Sequence, residues 1–235
     1  MTKQAATARK MHALDNPIWH ALTTLQTQFA EGDELARRFP PEVTLLAAMS
    51  QPSGEAYDSL KRILHGAGGA IFLAEPPIVP DGWKTIDACP LVQMVCERPT
   101  IAVEDDLSSV ETLGAKDSPE MIALAELTKP GPFGKRTHEM GDYIGIRESG
   151  RLVAMSGERL HLQGYREVSA VCTQPDFQGR GYAGRLMSIL MRRIAQRGEM
   201  PILHVRQSNA SAIRLYEKLG FRTRRLLHFL IVQAA

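Results

Sequence analysis

The sequence predicts a mixed α/β fold, and three features of its second half lead to that prediction. The apolar run from Val168 to Thr173 has the length and composition of a buried strand. A glycine-rich bend follows it, and residues 183–194 then repeat apolar side chains at helical spacing. A further short apolar run, 201–205, reads as another strand. Strands that alternate with helices are typical of a sheet with helices packed on it.

The remaining elements follow from periodicity and from helix stop signals. Ile18, Leu22, Leu25 and Phe29 stand near helical spacing, and glycines stop a second helical segment after His65. A third helix has an aspartate as its predicted N-cap and a proline in its first turn. The predicted elements are helices over 16–39, 55–65 and 117–128, strands over 70–74, 91–96 and 109–113, and a hairpin that joins 142–147 to 151–160.

Composition excludes several classes of protein. The chain has 235 residues, 44% of them hydrophobic, and contains no apolar run near 18 residues, so no membrane span is expected. The polar segment Met1–Lys10 does not resemble a signal peptide. Three scattered cysteines, Cys89, Cys96 and Cys172, are too few for a disulfide framework or a zinc site. We therefore expect a cytoplasmic protein without a metal.

Charge is divided unevenly along the chain. Residues 151–235 hold 14 Lys and Arg against 5 Asp and Glu, whereas residues 1–150 are net acidic. This asymmetry predicts an anionic partner for the second half. Nucleic acid would satisfy it, but no recognition helix and no aromatic-plus-basic pattern is present. A phosphorylated small molecule fits better, and a solvated arginine-rich helix face is the alternative.

The glycine bend predicts a phosphate site at the start of a helix. Gly179 and Gly181 let the backbone approach an anion, and the helix start supplies free N–H groups. The bend lacks the Gly-Lys-Ser/Thr end of a P-loop, and no acidic residue follows the next strand as in a dinucleotide fold. A tight turn without any ligand remains the alternative.

Two ordered motifs resemble those of the GNAT superfamily of acyl-CoA-dependent N-acyltransferases. Gln178-Gly179-Arg180-Gly181-Tyr182-Ala183 is similar to motif A, and Asn209 to Phe221, which ends in Leu-Tyr-Glu-Lys-Leu-Gly-Phe, is similar to motif B. The resemblance covers residues from 105 to the C terminus, and this half looks closest to the glycine N-acyltransferase-like branch.

The resemblance implies a fold, a division of the chain and an activity. It implies a central mixed β-sheet flanked by helices, with the cofactor entering where two central parallel strands part. Residues 1–104 would form a divergent domain without a motif, and residues 105–235 the GNAT domain. The implied activity is transfer of an acetyl group from acetyl-CoA to a primary amine by direct attack in a ternary complex. A non-catalytic acyl-CoA-binding module is the rival.

The resemblance also assigns cofactor-binding residues. Backbone N–H groups of the bend would hold the pyrophosphate, and the strand edge at Val171–Thr173 would pair with the pantetheine arm. Asn209 would contact the same arm, although a plain helix N-cap would equally explain an asparagine there. The full cofactor-binding set is Val171, Thr173, Gln178, Gly179, Arg180, Gly181, Tyr182, Ala183, Gly184 and Asn209.

Two residues are assigned to catalysis. Tyr216 stands where the family places a general acid that protonates the leaving sulfur, and a packing tyrosine is the alternative. Glu167, at the start of the motif A strand, is the predicted base. The alternative is that Glu167 is an exposed strand-end carboxylate, and ordered water could take the place of a side-chain base. Glu158 is the reserve base.

The acceptor is expected to be a small amine or a peptide amine. Phe133 and His138, in the loop 129–139, and Glu158 are the predicted acceptor-binding residues, with an ordinary loop role as the alternative for His138. No nucleic acid or membrane partner is expected, and the sequence leaves the oligomeric state open.

Overall fold

The computed structural model describes residues 12–98 and 110–235. These residues form five α-helices, which are Pro17–Thr23 (α1), Gly54–Leu64 (α2), Ser118–Thr128 (α3), Tyr182–Gln196 (α4) and Ala210–Lys218 (α5). The strands are Glu31–Gly32 (β1), Ala36–Arg38 (β2), Ala47–Met49 (β3), Gly69–Leu73 (β4), Trp83–Val95 (β5), Val110–Leu113 (β6), Tyr143–Glu148 (β7), Arg151–Leu162 (β8), Tyr165–Thr173 (β9), Met200–Arg206 (β10) and Arg222–Ala234 (β11).

Eight of these strands form one mixed sheet in the order β4-β11-β5-β10-β9-β8-β7-β6. Its neighbouring strands pair antiparallel except β9 and β10, which run parallel. A parallel pair needs a crossover connection, and α4 supplies it. The strands β1, β2 and β3 form a separate small antiparallel sheet. This arrangement confirms the predicted mixed α/β fold.

The N-terminal half contributes directly to the large sheet. Strand β5 lies between β10 and β11 and pairs antiparallel with both, and β4 pairs with β11 at the edge. The predicted domain boundary, between residues 104 and 105, lies outside the described residues. Strands from both sides of that boundary nevertheless share one hydrogen-bonded sheet, so the first half is structurally continuous with the second.

Helix α4 packs on the sheet with the apolar stripe that its sequence predicts. Leu186, Met187, Leu190 and Ile194 are buried and belong to the same core cluster as side chains from β8, β9 and β10. Burial of such a stripe supplies most of the stability of a short helix. Helix α4 is thereby fixed directly behind the two parallel strands.

The predicted helix over residues 16–39 is wrong beyond its first two turns. Helix α1 ends at Thr23, and the chain then turns and enters β1 and β2. The turn carries the buried side chain of Gln26, whose amide donates to the Arg159 carbonyl at 2.8 Å and accepts from the His161 N–H at 3.2 Å. These bonds pair backbone groups where β8 is irregular, so tertiary contacts override the helical pattern.

The other predicted elements appear with shifted ends. The helix predicted over 55–65 is α2, which Ser53 caps and which His65 ends in a left-handed conformation. Asp117 precedes α3 as expected, but its carboxylate accepts from the Gly114 N–H and from Arg147 instead of capping that helix. The long C-terminal strand β11 was not predicted. None of the helices within residues 12–98 and 110–235 is long and apolar enough to cross a membrane.

We expect Gly157→Ala to destabilise the fold, because Gly157 lies under the Tyr143 ring. A Cβ at this position would stand 2.3 Å from the nearest ring carbon, so the buried ring would have to move. Such overpacking typically costs about 1–3 kcal/mol. Urea unfolding measures the loss as a lower midpoint at an unchanged slope. Gly114→Ala is the matched control, since nothing lies within 4 Å of its Cβ position; equal midpoints for the two variants would contradict the expectation.

Candidate functional site

The central feature of the site is a fork between β9 and β10. Their parallel pairing runs from Met200 opposite Tyr165 to Ile202 opposite Glu167. Beyond that point β9 stays with β8, and β10 stays with β5. The two strands therefore separate, as the family resemblance implied. A cavity of ≈ 510 Å³, called here the fork cavity, opens between them.

The fork cavity is lined by elements from both halves of the chain. Residues 168–171 of β9 and 203–206 of β10 form its two strand walls, and Asn209 and Tyr216 reach it from α5. Residues 128–133 line it on the α3 side. The N-terminal half adds apolar side chains, among them Leu45, Phe72 and Leu91. A partly open cavity that combines apolar side chains with polar and charged groups can hold a small molecule.

A β-bulge distorts β9 at the cavity wall. The register between β8 and β9 shifts by one residue between Gly157 opposite Ser169 and Met155 opposite Cys172. Ala170, inside this bulge, adopts a left-handed conformation with φ of 52° and is buried. A residue with a Cβ rarely accepts that conformation, and strained backbone of this kind clusters at functional sites. A bulge also leaves backbone groups without ladder partners, and these can bind a ligand.

The glycine bend stands exposed at the start of α4. Gly179 and Gly181 have φ of 77° and 80°, and a Cβ at either position would meet nothing within 4 Å. The glycines are therefore required by backbone conformation and not by packing against the protein. Arg180 lies over the Phe177 ring at 4.7 Å, and the Tyr182 hydroxyl donates to Glu148. The bend thus leaves open space at a helix N-terminus, which suits an anion.

The predicted cofactor-binding residues occupy two separate places. Val171 and Asn209 line the fork cavity, whereas Gln178, Gly179, Arg180 and Gly181 lie outside its lining, on the exposed bend. Tyr182, Ala183 and Gly184 form the first turn of α4. Thr173 is the last residue of β9, and its hydroxyl is buried without a hydrogen-bond partner in the described part of the chain.

Asn209 has the cap role that was left open as an alternative. Its Oδ1 accepts from the Ala212 N–H at 3.2 Å and from the Ser211 hydroxyl at 3.1 Å, which fixes the start of α5. The residue also lines the fork cavity, so the cap and a ligand contact are compatible. Tyr216, two turns later, packs its ring edge against Phe221 at 6.2 Å and is largely buried. Burial, with a smaller effect of Cys172, raises the pKa of Tyr216 to about 12, so the phenol stays protonated.

Glu167 does not have the environment of a catalytic base. Its side chain is 1% exposed, and it accepts from Arg159 Nε at 2.9 Å, from Arg159 Nη2 at 2.7 Å and from His204 Nδ1 at 2.7 Å. Burial by itself would raise the pKa of Glu167, but Arg159 and His204 outweigh it and lower the pKa. A bound carboxylate of low pKa is a weak base. Glu167 instead holds Arg159 and His204 in position; it is also not the exposed carboxylate of the alternative reading.

His204 is a cavity residue that the sequence reasoning missed. The side-chain oxygen of Gln93 accepts from Arg224 at 2.8 Å, and its nitrogen donates to the Leu14 carbonyl at 2.8 Å. This fixes the amide so that an N–H points at His204 Nε2, 2.9 Å away. Nε2 therefore accepts from Gln93, and Nδ1 donates to Glu167.

Glu158 and His138 lie outside the lining of the fork cavity. Glu158 is buried in an ion network, with Arg197 in contact and Arg166 at 3.6 Å, which leaves no role as a reserve base in the cavity. His138 lies in a short 3₁₀ turn, Thr137–Met140. Phe133 does line the cavity, and its ring meets the Tyr143 ring edge-on at 5.8 Å.

The N-terminal half fixes the loop that carries Phe133. The Arg136 N–H donates to the Glu42 carbonyl at 2.8 Å. A Cβ on Gly134 would stand 2.4 Å from that same carbonyl oxygen, so only glycine permits this approach. The loop and the N-terminal half together shape the cavity wall.

The sequence only weakly indicates Arg159 and His204 as residues of the site. His204 stands between the apolar residues Leu203 and Val205, and Arg159 lies in a strand that also holds Glu158 and His161. Buried charge is rare unless it is paired, so such residues can be recognised as candidates for pairing. Nothing in the sequence, however, says which residues pair.

The chain is similar to a known protein family and to a solved structure. Residues 143–230 match the model of the FR47-like protein family. A crystal structure of a GNAT-family protein from Novosphingobium aromaticivorans, for which acetyltransferase activity is inferred, is 38% identical, with 96% of this chain and 100% of that chain covered and a TM-score of 0.88.

Two curated relatives match parts of the chain. A [ribosomal protein bS18]-alanine N-acetyltransferase from Salmonella typhimurium is 46% identical over 121 residues, which is 49% of this chain and 81% of the relative. A mycothiol acetyltransferase from Saccharomonospora viridis is 37% identical over 92 residues. That match covers 35% of this chain and spans only 30% of the length of the relative.

We expect Glu167→Gln to destabilise the protein strongly at neutral pH. Removal of one partner of a buried ion pair leaves the other charge uncompensated, which costs about 3–5 kcal/mol. The folded-state pKa of Glu167 is lowered, so its contribution is complete above the unfolded value of 4.5 and is lost as the pH falls below it. We therefore expect the difference in the free energy of unfolding between wild type and variant to be smaller below pH 4 than at pH 7. Denaturant unfolding at the two pH values measures it.

Glu97→Gln is the control for this measurement, because its partner Arg222 is 70% exposed and such pairs contribute little. A difference between wild type and Glu167→Gln that stays constant with pH would contradict the assignment.

Proposed function

This chain belongs to the GNAT family, and we propose that it is an N-acetyltransferase that moves an acetyl group from acetyl-CoA to a primary amine. The observation that carries the proposal is the combination of the fork cavity with the exposed glycine bend at the start of α4. One offers an apolar space for an acyl group and its arm, and the other offers backbone N–H groups for a pyrophosphate.

Acetyl-CoA fits this arrangement in two respects. The bulge at Ala170 leaves backbone groups of β9 without ladder partners beside the cavity, where a pantetheine arm can pair with the strand edge. The conformations of Gly179 and Gly181 leave open space in front of the first turn of α4. We assign Val171, Thr173 and Asn209 to the arm, and residues 178–184 to the pyrophosphate.

The chemistry needs a donor for the leaving sulfur and donors for the oxyanion. Tyr216 lines the cavity with a raised pKa, so its phenol can give a proton to the departing thiolate. Backbone N–H groups at the bulge are the candidates for stabilising the tetrahedral oxyanion. The thioester is activated by itself, so the amine attacks its carbonyl carbon directly, and no covalent enzyme intermediate is needed.

Deprotonation of the amine is assigned to water. Both oxygens of Glu167 and both ring nitrogens of His204 already have partners. Glu126, the one carboxylate among the described residues that line the cavity, is exposed. We propose that water carries the amine proton from the cavity to solvent, and that Glu167 only positions Arg159 and His204.

We also propose a cellular location, a range of acceptors and a branch of the family for this protein. The three cysteines are free thiols, which favours a reducing cytoplasm. One named relative is an alanine N-acetyltransferase for a ribosomal protein and the other is a mycothiol acetyltransferase, so both peptide and small-molecule amines are candidate acceptors. Placement in the glycine N-acyltransferase-like branch rests on the motifs at 178–183 and 209–221 alone.

Calorimetric titration tests the cofactor. We expect saturable binding of about one acetyl-CoA per chain, weaker binding of dephospho-CoA, and none of NAD. Gly181→Ala, which forces a Cβ into a left-handed conformation with φ of 80°, should weaken acetyl-CoA binding about tenfold. Gly198→Ala is the matched control, since Gly198 has φ of 73° and open surroundings but lies beyond the other end of α4.

The two glycine variants should lose similar stability and differ only in affinity for acetyl-CoA. Equal affinities would remove the bend from the cofactor site. No binding of acetyl-CoA by the wild type would remove the proposed function altogether.

Tyr216→Phe separates an enzyme from a binding module. If Tyr216 protonates the sulfur, the variant should lose about 10²–10⁴-fold in kcat and keep its affinity for acetyl-CoA within about twofold. Thiol release with a panel of primary amines measures the first quantity, and calorimetry measures the second. An unchanged kcat would assign the tyrosine to packing, whereas absence of turnover in the wild type with every amine would favour a non-catalytic acyl-CoA-binding module.

A further inference from the structure

Arg159 is a buried cation with an unused donor in the fork cavity. Its side chain is 7% exposed, and Nε and Nη2 are both engaged by Glu167. Nη1 has no hydrogen-bond partner within residues 12–98 and 110–235. It lies 3.9 Å from the position that a Cβ on Gly131 would take, at the loop side of the cavity. A guanidinium can only donate, so a ligand would bind this nitrogen through an acceptor such as an oxygen atom.

Further donors lie next to this side of the cavity. Ser169 lines the cavity and also a narrow crevice that runs from it beneath Pro130–Phe133. Tyr143 lines the same crevice, and its hydroxyl is buried without a hydrogen-bond partner in the part of the chain that the structure describes. Burial raises the pKa of Tyr143, so this hydroxyl remains a donor. A buried polar group without a partner is costly, and a ligand oxygen would relieve that cost.

The buried charges of Arg159 and Glu167 already balance each other beside the cavity. Glu167 neutralises Arg159, while His204 accepts from Gln93 at Nε2 and donates to Glu167 from Nδ1. A ligand carboxylate would add an uncompensated negative charge to this buried group, which is unfavourable. A carbonyl oxygen would satisfy the same donors without adding charge.

We infer that the acceptor carries a neutral carbonyl oxygen next to its primary amine, and that Arg159 Nη1 binds this oxygen. Amino-acid amides and peptide N-termini have this chemistry, whereas simple alkylamines and free amino acids do not. The inference rests on the proposed function, since it names the acceptor class of that same cavity. Arg159 would then be a specificity-determining residue, and Tyr143, which lines the crevice next to the cavity, would support it.

Binding measurements test the inference without turnover. Glycinamide, isobutylamine and glycine are titrated into protein saturated with CoA; the first two have a similar size, and isobutylamine carries two methyl groups where glycinamide has its carbonyl oxygen and amide nitrogen. We expect glycinamide to bind about tenfold or more tightly than either of the others. Arg159→Lys keeps a cation beside Glu167 but loses the guanidinium fork, so it should remove most of the advantage of glycinamide and affect isobutylamine far less.

A second pair of variants covers the case in which Arg159→Lys does not fold. Tyr143→Phe removes only an unpartnered hydroxyl and should reduce the advantage of glycinamide several-fold. Tyr57→Phe is the matched control, because the Tyr57 hydroxyl is also buried and unpartnered among the described residues but packs by Trp83, away from the fork cavity. Tyr57→Phe should leave the affinity for all three ligands unchanged.

The outcomes separate the inference from the proposed function. Equal affinities for glycinamide and isobutylamine, or equal losses for both in the variants, would overturn the inference. If glycine bound more tightly than glycinamide, the site would recognise a carboxylate instead of a neutral carbonyl, and the inference would also be overturned. Tight binding of glycinamide without thiol release from acetyl-CoA would support the acceptor site and refute the acetyltransferase.

Discussion

One buried carboxylate stands where the two parallel strands part. Glu167 lies opposite Ile202, the last residue of β10 that pairs with β9. From there its oxygens reach Arg159 on β8 and His204 on β10, so a single anion joins three neighbouring strands at the base of the fork. The strands can diverge above this point because each is held by an antiparallel partner on its other side. The cavity, its polar floor and its access all depend on this junction.

The N-terminal half supplies contacts that form part of the site. Strand β5 is the partner that keeps β10 away from β9, and Gln93 of that strand orients His204. Gln26 satisfies backbone groups of β8 on both sides of Leu160, next to Arg159. Neither contact could be supplied by the residues that carry the family motifs. A segment without a recognisable motif therefore contributes to the shape and the polarity of the fork cavity.

What the sequence could predict follows from the range of the interactions. The glycine bend, the stripe of α4 and the cap of α5 depend on residues within a few positions of one another, and all three were read correctly. The contacts of Glu167 join residues 8 and 37 positions away, which no local pattern encodes. The same reason explains the wrong helix after Thr23, where Gln26 bonds to a strand more than a hundred residues later. Family resemblance supplied a role for Glu167, but only its partners show what it does.

The position of β5 also bears on the order in which the protein can fold. Trp83 pairs with Ala234, and Val95 pairs with Arg222. Strand β5, which is synthesised early, therefore cannot form this pairing until β11, the last strand of the chain, has been synthesised. Pairings of such sequence separation close slowly, and an unpaired strand edge is prone to associate with other chains. During synthesis β5 therefore emerges long before either of its neighbours exists. Protection of that edge, by the small sheet of β1–β3 and its helices or by a chaperone, becomes a requirement for making the enzyme, separate from any requirement of its catalysis.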